Sequence, residues 1–276
     1  MSRIDQAIQK AAQLRESKPA VAPPSQDPQA AAPVCSATAT QPKAQLPCEA
    51  LQLDHPCLVS QPGDPHPASE PYKKLKSLVL KLTHGESLQN TLLVTSATMG
   101  EGKTITALNL ALSLAREYDH TALLIDADLR RPALQSYLNL EPRAGLIQVL
   151  KDGLPLEQAL VKTGLGKLTV LPAGGTVKDP VELLASEQLR LLIGEIKARY
   201  PERYVILDTP PALHFADAQA LLPAVDGVLF VVREGAANPR QVQAALGGLQ
   251  GANLLGVVYN DALHLEKKDH YAAQYY

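Results

Sequence analysis

Leu92-Leu-Val-Thr-Ser-Ala97-Thr-Met-Gly100-Glu-Gly102-Lys-Thr104-Ile-Thr106 is the stretch that decides the fold. An apolar run breaks at a glycine-bearing loop, the loop ends in Gly-Lys-Thr, and helical spacing then continues through Lys103–Glu117. Backbone N–H groups of such a loop, with the helix N-terminus behind it, converge on anionic oxygens. In this arrangement Gly100, Glu101, Gly102, Lys103, Thr104 and Ile105 supply the cradle, Lys103 adds a point charge and the Thr104 hydroxyl can hold Mg²⁺. Ala97 stands where the usual pattern has its first glycine. A short motif alone could be a Gly-Lys turn; the β-rich segment before it and the amphipathic helix after it make it a phosphate loop.

Working outward, the chain alternates short apolar runs with helical segments. The runs Thr91–Ser96, Ala122–Asp126, Leu168–Leu171, Tyr204–Asp208, Gly227–Val232 and Leu254–Tyr259 read as strands. Their near-continuous apolarity fits strands covered on both faces, as in a parallel sheet. Helices are expected at Lys103–Glu117, about Gly145–Lys151, Leu156–Val161, Val181–Tyr200, Asp217–Leu222 and Pro239–Gln250, and a further one from a Ser69 cap to about Thr83. The fold class is α/β, a doubly wound, mostly parallel sheet of the P-loop NTPase kind. Ligands of such sheets bind outside the carboxyl ends of the strands.

Two strands end in carboxylates: Leu123-Leu-Ile-Asp126-Ala-Asp128-Leu-Arg130-Arg131, and Tyr204-Val-Ile-Leu-Asp208-Thr-Pro-Pro211. Beside a phosphate loop, Asp208 fits a Mg²⁺ anchor better than a bare turn residue. Asp126 and Asp128, two apart at a strand end, are expected on one face, where their charges need a metal or Arg130 and Arg131 to offset them. One of the pair can serve the metal shell and the other can accept the proton of an attacking hydroxyl.

Composition divides the rest. Twelve of the 22 prolines precede Tyr72, as do all three cysteines, Cys35, Cys48 and Cys57. Residues 18–68 therefore read as a disordered Pro/Ala/Gln-rich linker that cannot bury enough apolar surface to offset its ordering entropy. Before it, residues 1–17 hold a short amphipathic helix with Ile4, Ala7, Ile8, Ala11 and Leu14 on one face, which either frays or docks on a partner. Residues 69–260 form the nucleotide-binding domain, and 261–276 form a flexible tail in which Tyr271, Tyr275 and Tyr276 lie within the last six residues. A net charge of −2 with no basic block gives no reason to expect nucleic acid as a partner. No apolar run approaches the ~18 residues of a membrane span, no signal-peptide core opens the chain, and an odd number of cysteines without C-x-x-C spacing reads as reduced thiols in a cytoplasmic protein.

Together the Ala-x-x-x-Gly-Glu-Gly-Lys-Thr loop, the apolar strand followed by Asp-x-Asp-x-Arg, and the apolar strand ending Asp-Thr-Pro-Pro resemble the bacterial tyrosine kinases of polysaccharide synthesis, whose motifs are called Walker A, A′ and B. Leu171-Pro-Ala-Gly174, Asp179-Pro-Val-Glu-Leu-Leu184 and the Asp217-Ala218 pair extend the match from about Ser69 to the C-terminus. The N-terminal helix and Pro-rich linker resemble, more loosely, the autokinases encoded beside exosortase or exopolysaccharide loci. The resemblance implies ATP and Mg²⁺ as cofactors and autophosphorylation on Tyr271, Tyr275 and Tyr276. It implies Lys103 on the β/γ-phosphates, Mg²⁺ on Thr104 and, through water, on Asp208 and Asp128, Asp126 as the group that orients or deprotonates the tyrosine hydroxyl, and Asn260 at the base. It implies a homo-oligomer with the tail in a neighbour's active site, a separate inner-membrane activator of the chain-length-regulator type that recruits a cytoplasmic kinase to the membrane face, and a counteracting tyrosine phosphatase. The family's Glu-x-x-Arg-x-x-Arg oligomer contact reads here Glu70-Pro-Tyr-Lys73-Lys-Leu-Lys76, and lysine lacks the bidentate fork of arginine. The chief rival is a non-kinase ATPase switch of the partition or septum-positioning type; those carry a second lysine inside the loop, where this chain has Thr98. A nucleotide-binding regulatory module without catalysis is the third reading.

Overall fold

The computed structural model describes residues 55–59, 68–85, 89–141 and 143–262. Seven strands, β1 (Thr91–Ser96), β2 (Thr121–Asp126), β3 (Val161–Lys162), β4 (Leu168–Leu171), β5 (Arg203–Asp208), β6 (Gly227–Arg233) and β7 (Leu254–Asn260), form one sheet in the order β3-β4-β2-β5-β1-β6-β7. Every pairing is parallel except β3 with β4. The helices are α1 (Ser69–Thr83), α2 (Lys103–Ala115), α3 (Leu134–Tyr137), α4 (Leu146–Lys151), α5 (Leu156–Ala159), α6 (Val181–Leu184), α7 (Glu187–Arg199), α8 (Asp217–Leu221) and α9 (Pro239–Gly247).

The pleat explains why the strands are apolar at successive positions. Leu92, Val94, Ala122, Leu124, Tyr204, Ile206, Leu229 and Val231 point to the core that includes α2. The residues between them, Leu93, Leu123, Ile125, Val205, Leu207, Val228 and Phe230, point to the opposite core, which includes α7. Side chains alternate faces along a strand, so a strand buried on both sides needs apolar residues at both parities. Each buried Leu, Val, Ile or Phe among them contributes about 1.5–3 kcal/mol by leaving water. The doubly wound sheet is as read and sets the carboxyl ends of β1, β2 and β5 side by side, but β7, expected to be covered on both faces, is an edge strand that leaves Leu254, Val257 and Tyr259 exposed.

Several local expectations are corrected. Ala68, not Ser69, occupies the cap position of α1, and it makes no side-chain cap bond. The single helix expected over Val181–Tyr200 is broken between α6 and α7, because Ser186 turns extended (φ −66°, ψ 148°) and its hydroxyl accepts the Leu189 N–H to start a new helix. The helix expected to reach Val161 stops at Ala159, and Val161 pairs instead with Val170 as the antiparallel edge strand. α2 ends at Ala115, not Glu117. Residues 55–59, read as part of the linker, are docked on the domain with Leu58 and Val59 buried. The N-terminal helix, the remainder of 18–67 and the tyrosines of the tail lie outside the described residues. No helix among the described residues is long and apolar enough to cross a membrane.

Candidate active site

The loop after β1 is braced from within. Ser96 Oγ donates to the Thr98 carbonyl at 2.7 Å, and the fully buried Glu101 accepts the Thr98 N–H on Oε2 at 2.6 Å. Gly100 (φ 80°) and Gly102 (φ 86°) adopt left-handed backbone that other residues take only with strain. Gly102 is needed twice over, since a Cβ there would lie 2.2 Å from Asn260 Nδ2. That amide donates to the Glu101 carbonyl at 2.9 Å, so the end of β7 ties down the loop. The sequence reading set Glu101 among the nucleotide contacts and Asn260 at the base. In the structure the Glu101 side chain is engaged with its own loop, leaving its backbone to the cradle, and the Asn260 Nδ2 is committed to bracing. The Gly100–Ile105 backbone runs from this braced loop into α2, which Lys103 and Thr104 open.

Beside the loop the strand ends gather three carboxylates. β2 and β5 are in register at Asp126↔Asp208, and both side chains are buried. Thr104 Oγ1 donates to Asp208 Oδ2 at 2.6 Å, while the Leu134 N–H of α3 donates to Asp126 Oδ2 at 3.1 Å. The second oxygens, Asp126 Oδ1 and Asp208 Oδ1, are buried without a hydrogen-bond partner. Burial pushes the Asp126 carboxyl well above the ordinary range, with the Asp208 charge adding to it and the Leu134 N–H opposing. Burial likewise raises Asp208, to about 6, against the Lys103 ammonium and the Thr104 hydroxyl.

Asp128 is placed differently from expectation. The strand ends at Asp126, so Asp128 leaves the pleat, accepts the Arg131 N–H at 3.0 Å and faces Lys103 Nζ at 3.7 Å. Burial raises its pKa, and Lys103 is the main opposing influence. The strongest like-charge neighbour of Asp126 is therefore Asp208, across the strand pair. Arg130 spends its side-chain hydrogen bonds elsewhere, although its charge still acts on Asp128. It grips the wholly buried Asp217 with Nε (2.9 Å) and Nη2 (2.9 Å), donates from Nη1 to the Lys178 carbonyl at 2.9 Å, and lies 4.6 Å over the Phe215 ring. This clamp joins the β2 end to α8 and the 174–180 loop. Residue-level reading missed it; the Asp217-Ala218 pair was its one signal.

The site fits Mg²⁺ on two observations: the donors are hard oxygens, and the strand-end oxygens Asp126 Oδ1 and Asp208 Oδ1 are buried without hydrogen-bond partners, as is Oε1 of Glu101 in the loop. Among the described residues no group of three or more His, Cys, Asp or Glu makes a self-sufficient metal centre. The residues read as an oligomer contact are engaged within the chain: Lys73 pairs with Glu70 at 2.6 Å on the exposed face of α1, and Lys76 pairs with Glu117.

A family model described as an AAA domain matches residues 90–243. The chain is 36% identical over 194 residues to the tyrosine-protein kinase YwqD of Bacillus subtilis (strain 168), covering 70% of this chain and 80% of that one. It is 37% identical over 172 residues to the succinoglycan biosynthesis transport protein ExoP of Rhizobium meliloti (strain 1021), covering 60% of this chain and 22% of that longer protein. Among solved structures, the kinase domain of the Escherichia coli tyrosine kinase ETK superposes with a TM-score of 0.68 at 29% identity, over 76% of this chain and 81% of that one. With its phosphate loop, its two strand-end carboxylate motifs and these relatives, the chain belongs to the family of bacterial tyrosine-protein kinases and has their nucleotide-binding domain.

Proposed function

We propose that this tyrosine-protein kinase transfers the γ-phosphoryl group of ATP to Tyr271, Tyr275 and Tyr276 of its own tail, presented by a neighbouring copy. The observation that carries the reading is the buried Asp126–Asp208 pair set against Lys103 and Thr104, each carboxylate with one oxygen free of protein partners. In this reading Lys103 and the loop amides hold the β- and γ-phosphates. Thr104, Asp208 and Asp128 would hold Mg²⁺, which when bound supplies charge neutralisation on the phosphate oxygens. The tyrosine oxygen bonds to the γ-phosphorus, the bond from that phosphorus to the bridging oxygen breaks, and ADP leaves. Asp126 orients the phenol and takes its proton. The burial that raises its pKa gives it a firmer hold on that proton than an ordinary carboxylate has.

The longer relative named for succinoglycan transport supports a role in controlling exopolysaccharide or capsule export. The activator would be a separate inner-membrane protein, with the kinase held at the cytoplasmic face and a tyrosine phosphatase resetting the tail. Each phosphate adds about −1.5 to −2 of charge, which would drive clustered tails apart. Thr98 at the position of the switch ATPases' second lysine weighs against the switch reading. The test is Asp126→Asn: phosphotyrosine should disappear while nucleotide binding persists. Normal phosphorylation in that variant would sink the assignment.

A further inference from the structure

Residues 55–59, His-Pro-Cys-Leu-Val, are seated between two elements of the site. Leu58 is 4% exposed and joins the core that includes α2, and Val59 is 6% exposed. Their backbone meets the Asn109 amide at two points: Asn109 accepts the Val59 N–H on Oδ1 at 3.0 Å and donates from Nδ2 to the Cys57 carbonyl at 2.9 Å. Arg116 closes the grip, donating from Nη2 to the Val59 carbonyl at 3.0 Å. A buried Asn inside the apolar run Thr106–Ala115 is a poor helix former and a costly polar group, so both halves of its amide need partners. This segment supplies both. At its other end the His55 ring packs edge-on against Tyr137, with ring centroids 4.8 Å apart.

The two anchoring elements are the ones that carry the chemistry. α2 opens with Lys103 and Thr104, and α3, which ends at Tyr137, opens with the Leu134 N–H that holds Asp126. Tyr137 itself feels the site, its phenol pushed up by burial and then by the charge of Asp208. We infer that His55–Val59 is a positioning strap, which fixes α3 against the phosphate-binding helix so that Asp126 keeps its orientation. The inference rests on the role given to Asp126 above.

The experiment uses the full chain and two variants that release the strap from opposite sides, Leu58→Ser and Asn109→Ala. The phosphotyrosine rate, the Kd of a fluorescent ATP analogue, the melting temperature and hydrogen exchange at the Val59 amide are measured together. The expected result is faster exchange at Val59, a kcat lower by about 10- to 100-fold as for a slightly misplaced catalytic group, and a nucleotide Kd within about twofold of the parent, with Leu58→Ile restoring the rate. The strap is overturned if Val59 is unprotected in the parent, if exchange rises while the rate holds, or if rate, nucleotide affinity and melting temperature all fall together. Asp126→Asn in the same assay separates the two ideas: phosphorylation surviving there refutes the role of Asp126, whereas its loss beside unimpaired strap variants refutes the strap alone.

Discussion

Asp208→Asn should make the nucleotide-free protein more stable at neutral pH, because the site stores unfavourable charge. In the folded chain the Asp208 carboxyl is raised from an ordinary 3.8 to about 6 by burial. An acid whose folded pKa exceeds its unfolded one binds more protons when folded, so stability falls as pH rises from about 4 to about 6, and the whole cost is present above that window. At about 1.4 kcal/mol for each tenfold change in proton affinity, the cost at pH 7.5 is of the order of 3 kcal/mol. Asn matches Asp in shape, and its carbonyl can still accept from Thr104 Oγ1, so the substitution removes the charge and leaves the packing. For a domain of about 200 residues this corresponds to a melting temperature higher by roughly 5–10 °C. The assay is urea unfolding of parent and variant without Mg²⁺ or nucleotide, at pH 4 and at pH 7.5. The variant should be more stable at pH 7.5, the difference should shrink toward zero at pH 4, and added Mg-ATP should stabilise the parent much more than the variant. A variant that is less stable at pH 7.5, or a difference that ignores pH, would refute the reasoning.

Gly102→Ala meets both a positive φ and a contact of 2.2 Å with Asn260, and should weaken nucleotide binding by more than about tenfold in a fluorescence titration. Adding Asn260→Ala removes the contact but not the backbone strain, so recovery should be partial; full recovery would show that strain contributes nothing. Arg130→Lys loses the bidentate grip on the wholly buried Asp217 and should cost about 1–3 kcal/mol in urea unfolding. A loss below about 0.5 kcal/mol, the size usual for exposed ion pairs, would mean that the clamp is not a stabilising element.

Most of the sheet was legible because burial on both faces leaves a plain trace, successive apolar residues such as Tyr204-Val-Ile-Leu207 that end on a carboxylate. The phosphate loop was legible because its chemistry is local. What escaped depends on partners distant in sequence or on competition between weak signals. Asp126 was paired on paper with its neighbour Asp128, but strand register gives it Asp208. Arg130 and Asp217 are 87 positions apart, and nothing near either residue announces the other. The docked residues 55–59 were hidden by the composition of a long Pro- and Ala-rich stretch, which averages away five residues. Their sign in the sequence was Asn109, a polar residue inside an apolar helix, 50 positions from Val59. Ser186 broke a helix that spacing alone would have continued, since its hydroxyl serves better as a cap than inside a helix.

The phosphate loop and the Asp126–Asp208 pair are proposed to act on the chain's own terminal tyrosines. Incubating the full chain with Mg-ATP, with and without a candidate membrane activator, and mapping phosphotyrosine by mass spectrometry tests it most directly. Phosphate is expected on Tyr271, Tyr275 and Tyr276 in the parent and on none of them in Asp126→Asn. Bound and hydrolysed ATP with no phosphate on any of the three tyrosines, under both conditions, would contradict it.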